Sequence, residues 1–447
     1  MVETTSDDDG NLRNDTRRLE LENSFPLDPA RRLRGGAGEA LLEWALGLVE
    51  EGEQRQRKLN RRAAASRSDT VSALLANLAA AALNRVDDSR YAAVPFNRNA
   101  YSQSPLSYPA MVLARDKLLA VALIDYQEGF FRDHPIDFEM FGFSRTSRMR
   151  AMPTFREKLT ELGVKHRHIY RLADRTIRLK ASKADAGPEP KEVKESREVL
   201  HRLNAKLDAC KISLPEDSWD RLRAKRLARI ARKPSEVEWK GAVLGDDSAK
   251  SLYRVFNGEW NRGGRLYGGW WMCLDKEERP NLTIDGEPVV ELDFSALHPS
   301  ILFNVIEQPF EGDPYFLPPY SRELCKETLQ RLLNRSVKQG GSEIKRAQKN
   351  HPPEGVAFAT FLADYIAYLS PLVKHFGKGL GLVLQRADSE LALDVLKRLD
   401  AQGIVALPVH DSFIVGTSHE QALFNAMQAS FKDMFGGAPE IKRTPPK

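Results

Sequence analysis

Two apolar runs, each with one aspartate beside the end of a strand, constrain this chain more than any other feature of its sequence. In residues 289–304, VVELDFSALHPSILFN, the β-branched and apolar Val289, Val290 and Leu292 read as a buried strand that ends at Asp293. The residues from Ser295 onward suit a helix, with Pro299 early enough to sit in a first turn. In residues 404–416, IVALPVHDSFIVG, two short apolar strands are broken by His410, Asp411 and Ser412, which predicts a hairpin with an acid at its turn.

Two aspartates on adjacent strand ends suit phosphoryl chemistry. Magnesium is small and hard, keeps several waters and needs only one or two protein carboxylates besides substrate phosphates. Two such ions about 3.5–4 Å apart clamp the attacking and leaving oxygens of an in-line displacement. Each acid also has an ordinary reading, Asp293 as a helix N-cap and Asp411 as a turn residue.

The stretch DFSALHPSIL resembles motif A of the palm-domain polymerases, and VHDSF resembles motif C of the single-subunit phage and mitochondrial RNA polymerases. Family A DNA polymerases, of the DNA polymerase I type, usually carry VHDE there. LVLQRADSELALDVLKRL is similar to the family A helix that precedes motif C, whose glutamine touches the primer–template minor groove; here it is Gln385. RGGRLYGGWW resembles the glycine-arginine stretch before motif A, whose arginine contacts the primer end, which corresponds to Arg265. The resemblance covers residues 257–431 and does not extend over the first half of the chain.

The first half is read from composition and spacing. At 447 residues the chain has room for two or three domains. Its three cysteines, Cys210, Cys273 and Cys325, are far apart and form no CxxC pair, so they suggest neither a disulfide framework nor a zinc site. No apolar run approaches the roughly 18 residues of a membrane span, and the polar, acidic start is no signal peptide, so a cytoplasmic protein with no membrane partner is expected. Residues 1–30 are polar and expected to be flexible. Residues 31–90 are expected to be helical: residues 39–49 and 71–83 follow helical spacing, the second with Ser68 or Asp69 as its cap. Residues 91–154, a helix or helix pair followed by a basic hairpin with Arg145, Arg148 and Arg150, resemble a winged-helix DNA-binding domain, the alternative being a small helical domain whose arginines merely face solvent. Residues 155–245 are strongly basic, with Val193, Leu200, Leu203 and Leu207 at near-heptad spacing; composition alone suits a charged helical hairpin linking two domains equally well, while their place just before the palm motifs, where family A has its thumb, implies a thumb-like helical region that grips a duplex by its phosphates.

Residues 246–304 and 379–447 then form a palm around motifs A and C, with reduced fingers over 305–378. Arg322 and Lys326, four apart on one helix face, are candidate triphosphate ligands in the Arg-xxx-Lys spacing of the family A fingers helix, although the aromatic and Tyr-Gly pair that normally follow are absent. Residues 334–355 read as a polar loop. Ser389 is read as the cap of a helix whose buried face is Leu391, Val395, Leu396 and Leu399, with Gln385, Ser389 and Ala392 on the other side. The tail after Lys442 is too short to add a domain. His298 stands five residues after Asp293, where related DNA polymerases place a bulky residue against the ribose 2′-hydroxyl; imidazole can obstruct that hydroxyl or bond to it. His410, beside Asp411, is placed to approach the primer end.

The expected architecture is α+β, a right-hand polymerase-like palm with reduced fingers, a basic helical thumb and a mostly helical N-terminal region. The resemblance implies a DNA polymerase without proofreading exonuclease, extending a 3′-hydroxyl on a template-primer with nucleoside triphosphates. Asp293 and Asp411 would hold two Mg2+ ions, or Mn2+. Three alternatives stay open: an RNA polymerase or primase, a template-independent terminal transferase, and a non-catalytic DNA-binding initiator or regulator.

Overall fold

The protein is described here from a computed structural model. The structure describes residues 20–444 apart from 22–23, 52–57, 103, 137–138, 173–175, 181–186, 233–243, 309, 335–352 and 354. The chain is mixed α+β and divides into two compact units, residues 1–173, 214–251 and 269–275 in the first and 174–213, 252–268 and 276–447 in the second.

The first unit is built around one helix that is buried on every side from Thr70 to Ala81. Strand β1 (Phe25–Pro26), helix α1 (Gly35–Glu50) and helix α2 (Arg61–Ala82) are followed by β2 (Ala92–Ala93) and α3 (Tyr108–Ala120). In α2 nearly every residue from Thr70 to Ala81 is buried, as expected of a helix inside a core. Its few polar side chains serve the backbone of its neighbours. Ser72 accepts from the Leu33 amide at 3.0 Å, and Thr70 accepts from the Ser107 amide at 2.9 Å. Asn77 both accepts from the Asp28 amide and donates to its carbonyl, each at 2.9 Å. Each would otherwise be a buried polar group without a partner. Strands β3 (Ile124–Gln127), β4 (Phe130–Ile136), β5 (Glu139–Arg145) and β6 (Arg148–Ala151) belong to the same unit, together with a pair of short strands, Arg31–Leu33 and Ile169–Arg171, and the helices Pro153–Glu161 and Glu216–Arg232. A sheet of order β1-β2-β6-β3 covers the core, and β4 and β5 form a separate hairpin.

The second unit holds both aspartates. It runs β7 (Ile177–Lys180), α4 (Lys191–Ala209), β8 (Ile212–Ser213), β9 (Tyr253–Asn257), β10 (Glu259–Tyr267), β11 (Thr283–Ile284), β12 (Glu287–Phe294) and α5 (Leu297–Val305). It continues through α6 (Arg322–Asn334), α7 (Phe358–Tyr368), α8 (Gly381–Asp400), β13 (Leu407–Val409), β14 (Ser412–Gly416), α9 (Glu420–Phe435) and β15 (Ile441–Thr444). The main sheet has the order β8-β11-β12-β14-β13, with β15 also paired to β12. Helix α9 packs on β12 and β14 and against α8, and α8 in turn runs along β10. Phe294, Phe413 and Phe431 close this layer, the Phe294 ring centroid lying 6.4 and 6.1 Å from the other two.

Several expectations change. Residues 24–30 are ordered, because Phe25 enters the core and β1 pairs in parallel with β2; residues 1–19 lie outside the described residues. Helix α2 starts earlier than expected and is capped by Asn60, which accepts from the Ala63 amide at 2.8 Å, and not by Ser68 or Asp69. Residues 31–90 and 91–154 share one core, so they are not separate bodies. The basic hairpin is nested: β3 pairs with β6, while β4 pairs with β5 between them. The region 155–245 contains strands as well as helices and is divided between the units, α4 belonging to the second and the helix Glu216–Arg232 to the first. Ser389 lies inside α8 and not at its start. Both Ser389 and Ala392 are buried, because the face of α8 opposite Leu391 and Val395 packs on β10. The C-terminal tail contributes β15, and the expected loop over 334–355 falls almost wholly outside the described residues.

A buried ion cluster closes the first unit. Asp246 takes the Arg31 guanidinium, the Ser248 hydroxyl at 2.5 Å and an ion pair from His166 Nδ1 at 3.4 Å, while His166 Nε2 faces the Leu83 carbonyl at 2.7 Å. Both ring nitrogens face acceptors, which favours the imidazolium. Burial by itself would lower the His166 pKa, but Asp246 outweighs it and the pKa is raised; burial would raise that of Asp246, but Arg31 and His166 hold it well below the carboxylate range. Asp246→Asn should therefore cost about 3–5 kcal/mol near pH 6, the usual loss when one partner of a buried pair is removed. The depressed Asp246 contributes stability that is present above about pH 4 and lost in acid; the raised His166 contributes below about pH 6.5 and loses it as pH rises through its folded value. The gap between wild type and variant in denaturant titrations should narrow towards both ends of that range.

Candidate active site

The register of β12 against β14 builds the centre of the site. These strands are antiparallel with Leu292 opposite Phe413 and Asp293 opposite Ser412, which places Asp293 beside the β13–β14 turn formed by His410 and Asp411. The Phe294 amide donates to the Asp411 carbonyl at 3.2 Å and ties the end of β12 to that turn. Because side chains alternate along a strand, Val290, Leu292 and Phe294 share one face and Glu291 and Asp293 the other. The first face meets α9, and the second is acidic.

Two backbone strains flank these acids. Ala296, three residues after Asp293, has φ +48°, and His410, next to Asp411, has φ +59°. Neither is glycine, and the left-handed region costs an ordinary L-residue about 1–2 kcal/mol. At Ala296 the strain turns the chain from β12 into α5; at His410 it closes the two-residue hairpin. Pro299 is the third residue of α5.

Charge is concentrated on the acidic face. Burial, then the neighbouring Asp411, then Glu291 push the Asp293 carboxyl up to about 7, against the pull of Lys276 and Arg279. Glu291 is buried; one carboxylate oxygen accepts from the Ser412 hydroxyl at 2.6 Å, and the other forms an ion pair with Arg279 at 3.0 Å without a hydrogen bond. Glu291 and Arg279 were not singled out from the sequence. The period of two in the strand, which puts Glu291 on the face of Asp293, was the available signal for the first.

A second cluster joins residues of β10, α5 and α8. Arg265 donates from Nε to the two carboxylate oxygens of Asp388 at 2.9 and 3.2 Å, and its Nη2 also bonds Asp388. His298 Nε2 lies 2.8 Å from Asp388 and 3.3 Å from Arg265 Nη2. Burial alone would lower the Arg265 pKa, but the Asp388 bond and charge raise it. The strand–helix junction beneath is pinned by Arg254, fully buried, which reaches the Gly264 carbonyl at 2.8 Å, Ser389 at 2.9 Å and Glu390 at 2.5 Å. At Gly264, φ is +88° and a Cβ would come within 3.0 Å of both Arg254 and Ser389, so only glycine lets the strand pass this close. Asp388, three residues after Gln385 on α8, was also not foreseen; its acidity beside a predicted contact residue was the only hint.

The other predicted residues are dispersed. Gln385 is half-buried on α8, and His410 is exposed at the turn with its ring 6.2 Å from that of Tyr267. Arg322 and Lys326 are exposed on α6, where Arg322 pairs with Asp313 at 2.9 Å and lies over the Tyr315 ring. In the first unit, Arg150 pairs with Asp125 at 3.1 Å and stacks on Tyr91, Arg148 donates to the Leu21 carbonyl at 2.7 Å, and Arg145 lies over the Phe130 ring. Among the described residues no group of three or more His, Cys, Asp or Glu side chains could hold a metal ion, and no helix is long and apolar enough to cross a membrane.

No family model and no curated protein matches this chain. Among solved structures, it is similar to one described as the POL domain of Pol1 from M. smegmatis in complex with DNA primer-template and dNTP, at 12% identity and a TM-score of 0.27, over 50% of this chain and 52% of that one. The chain thus spans about half the length of that structure.

The raised pKa of Asp293 has a measurable consequence. For an acid whose folded pKa lies above its unfolded value, the cost of ionisation is absent below about pH 4 and fully present above pH 7. In chelator-treated protein at pH 8, Asp293→Asn should melt about 2–4 °C above wild type, and the difference should vanish by pH 4.

Proposed function

We propose that this chain is a template-directed nucleotidyltransferase, a DNA polymerase that extends a 3′-hydroxyl with nucleoside triphosphates and releases pyrophosphate. The observation that carries the reading is the juxtaposition of Asp293, at the end of β12, with Asp411 in the β13–β14 turn, where their proximity and burial raise the Asp293 pKa to about 7. The resemblance of the surrounding segments to motifs A and C supplies the reaction class.

The donor set fits a hard divalent cation. It consists of carboxylate oxygens, the excess negative charge is what such an ion neutralises, and Mg2+ needs few protein ligands when substrate phosphates complete its shell. Asp293 and Asp411 would hold two Mg2+ or Mn2+ ions, which supply charge neutralisation at the phosphates and ease ionisation of the 3′-hydroxyl. The chain's own residues position the reactants. Arg322 and Lys326 bind the triphosphate, Arg265, Gln385 and His410 follow the primer–template end, and His298 meets the sugar. Arg145, Arg148 and Arg150 would lie along the phosphate backbone only by exchanging their internal partners for it.

The test is extension of a labelled primer, annealed and unannealed, with deoxy- or ribonucleotides and Mg2+ or Mn2+. Templated extension should fall by at least about 10²–10³-fold in both Asp293→Ala and Asp411→Ala. Variants as active as wild type would sink the proposal, and homopolymer growth on unannealed primer would replace it with template-independent transfer. Lys326→Ala should raise KM for the nucleotide about tenfold with little change in kcat, as for a group that binds ground and transition states alike; an unchanged KM removes Lys326 from the site.

A further inference from the structure

The contacts of Asp388 say more about His298 than its place after Asp293 does. The ring's Nε2 lies between a carboxylate oxygen at 2.8 Å, which only accepts, and the Arg265 Nη2 group at 3.3 Å, which only donates. One nitrogen cannot serve both. The bond to the carboxylate is shorter and charge-assisted, and Arg265 Nη2 already donates to Asp388, so Nε2 carries the proton. Asp388 is not free to turn away. It is buried on α8, both its oxygens are engaged by Arg265 Nε, and the next two residues, Ser389 and Glu390, are bonded to Arg254. Among the described residues no protein group takes His298 Nδ1, and a quarter of the side chain is exposed.

We infer that Asp388 is a positioning residue that holds His298 in the tautomer protonated at Nε2, so that Nδ1 is presented as a hydrogen-bond acceptor to a sugar hydroxyl of the incoming nucleotide. The inference rests on the proposal that this site takes nucleoside triphosphates. It makes recognition of the sugar depend on a residue 90 positions from the histidine and 123 from the arginine that it also holds. An asparagine at 388 has one acceptor and one donor in place of two acceptors. If its oxygen serves Arg265, its amide donates to Nε2 and moves the ring proton to Nδ1, which turns the acceptor into a donor.

Two measurements test this on the full chain. In the first, 15N-histidine-labelled protein is examined by long-range 1H–15N correlation, the His298 ring being assigned by its disappearance in His298→Phe. Wild type should show protonated Nε2 and unprotonated Nδ1, and Asp388→Asn should shift the ring towards the opposite tautomer. In the second, kcat/KM is compared for ribo-, 2′-deoxy- and 2′,3′-dideoxynucleoside triphosphates on one primed template. Wild type should favour the nucleotide bearing the bonded hydroxyl, the ribo/deoxy ratio reporting the 2′ group and the deoxy/dideoxy ratio the 3′ group. Asp388→Asn and His298→Phe should each reduce that preference about tenfold, and the double variant no further.

A wild-type ring protonated at Nδ1 overturns the inference, as does an equal loss for all three nucleotides in Asp388→Asn. A wild type that extends no primer, yet has its His298 proton on Nε2, overturns the polymerase reading and leaves the positioning by Asp388 standing. Should Asp388→Asn fail to fold, the wild-type spectrum and the kinetics of His298→Phe still decide the matter.

Discussion

The antiparallel register of β12 and β14 is the constraint on which the rest of the site depends. With Leu292 opposite Phe413 and Asp293 opposite Ser412, the apolar face meets α9 through Phe294, Phe413 and Phe431, and the acidic face is set beside the His410–Asp411 turn. A slip of one residue would exchange the two faces, burying Asp293 against phenylalanines and expelling Leu292 from the core. The packing that stabilises this sheet is therefore the same packing that brings the two carboxylates together, and neither can be changed alone.

Holding them there works against stability. Asp293 is charged only at a cost that burial, Asp411 and Glu291 impose, and the two left-handed residues, Ala296 and His410, add backbone strain on either side. Strain and repulsion of this kind persist where surrounding structure over-determines them. Here the surroundings are the fully buried Phe413 and Phe431, the hydrogen bond from Ser412 to Glu291 and the ion pair of Glu291 with Arg279, which sets the Arg279 charge against that of Glu291 and leaves Asp293 as the acid in excess. A cation held between Asp293 and Asp411 would remove that excess, which is why an electrostatically uncomfortable pair is more informative than a well-satisfied one.

The α8–β10 junction shows a different use of charge. Arg254 and Arg265 leave neighbouring positions of one hairpin and are met by Ser389, Glu390 and Asp388 on one turn of helix, so the strand and helix are locked by matched ionic groups instead of an apolar seam. Buried pairs of this kind add little net stability, but they are directional. Their directionality gives Arg265 and His298 fixed orientations that apolar packing would not specify. The first unit uses the same device at Asp246, while its core is made by a helix whose buried Thr70, Ser72 and Asn77 serve backbone groups of other segments.

Local pattern alone determined the strand and acid at Asp293, the hairpin around Asp411, and the core face of α8 at Leu391, Val395, Leu396 and Leu399, because apolar period and turn chemistry are properties of a few consecutive residues. It also located the helix-compatible run containing Pro299. It misjudged what depends on distant partners: Ser389 was legible as a cap and is a buried contact of Arg254, and residues 155–245 were legible as one basic region and are shared between two units. Only the tertiary structure decided that Asp293 lies against the Asp411 turn, that Glu291 is neutralised by Arg279, and that Asp388 joins Arg265 to His298. The reason is physical: the meetings of Asp293 with the Asp411 turn and of Asp388 with Arg265 and His298 span 90 to 123 residues of chain and are set by strand register and helix packing, and no local periodicity encodes which side chains such packing will bring within reach of one another.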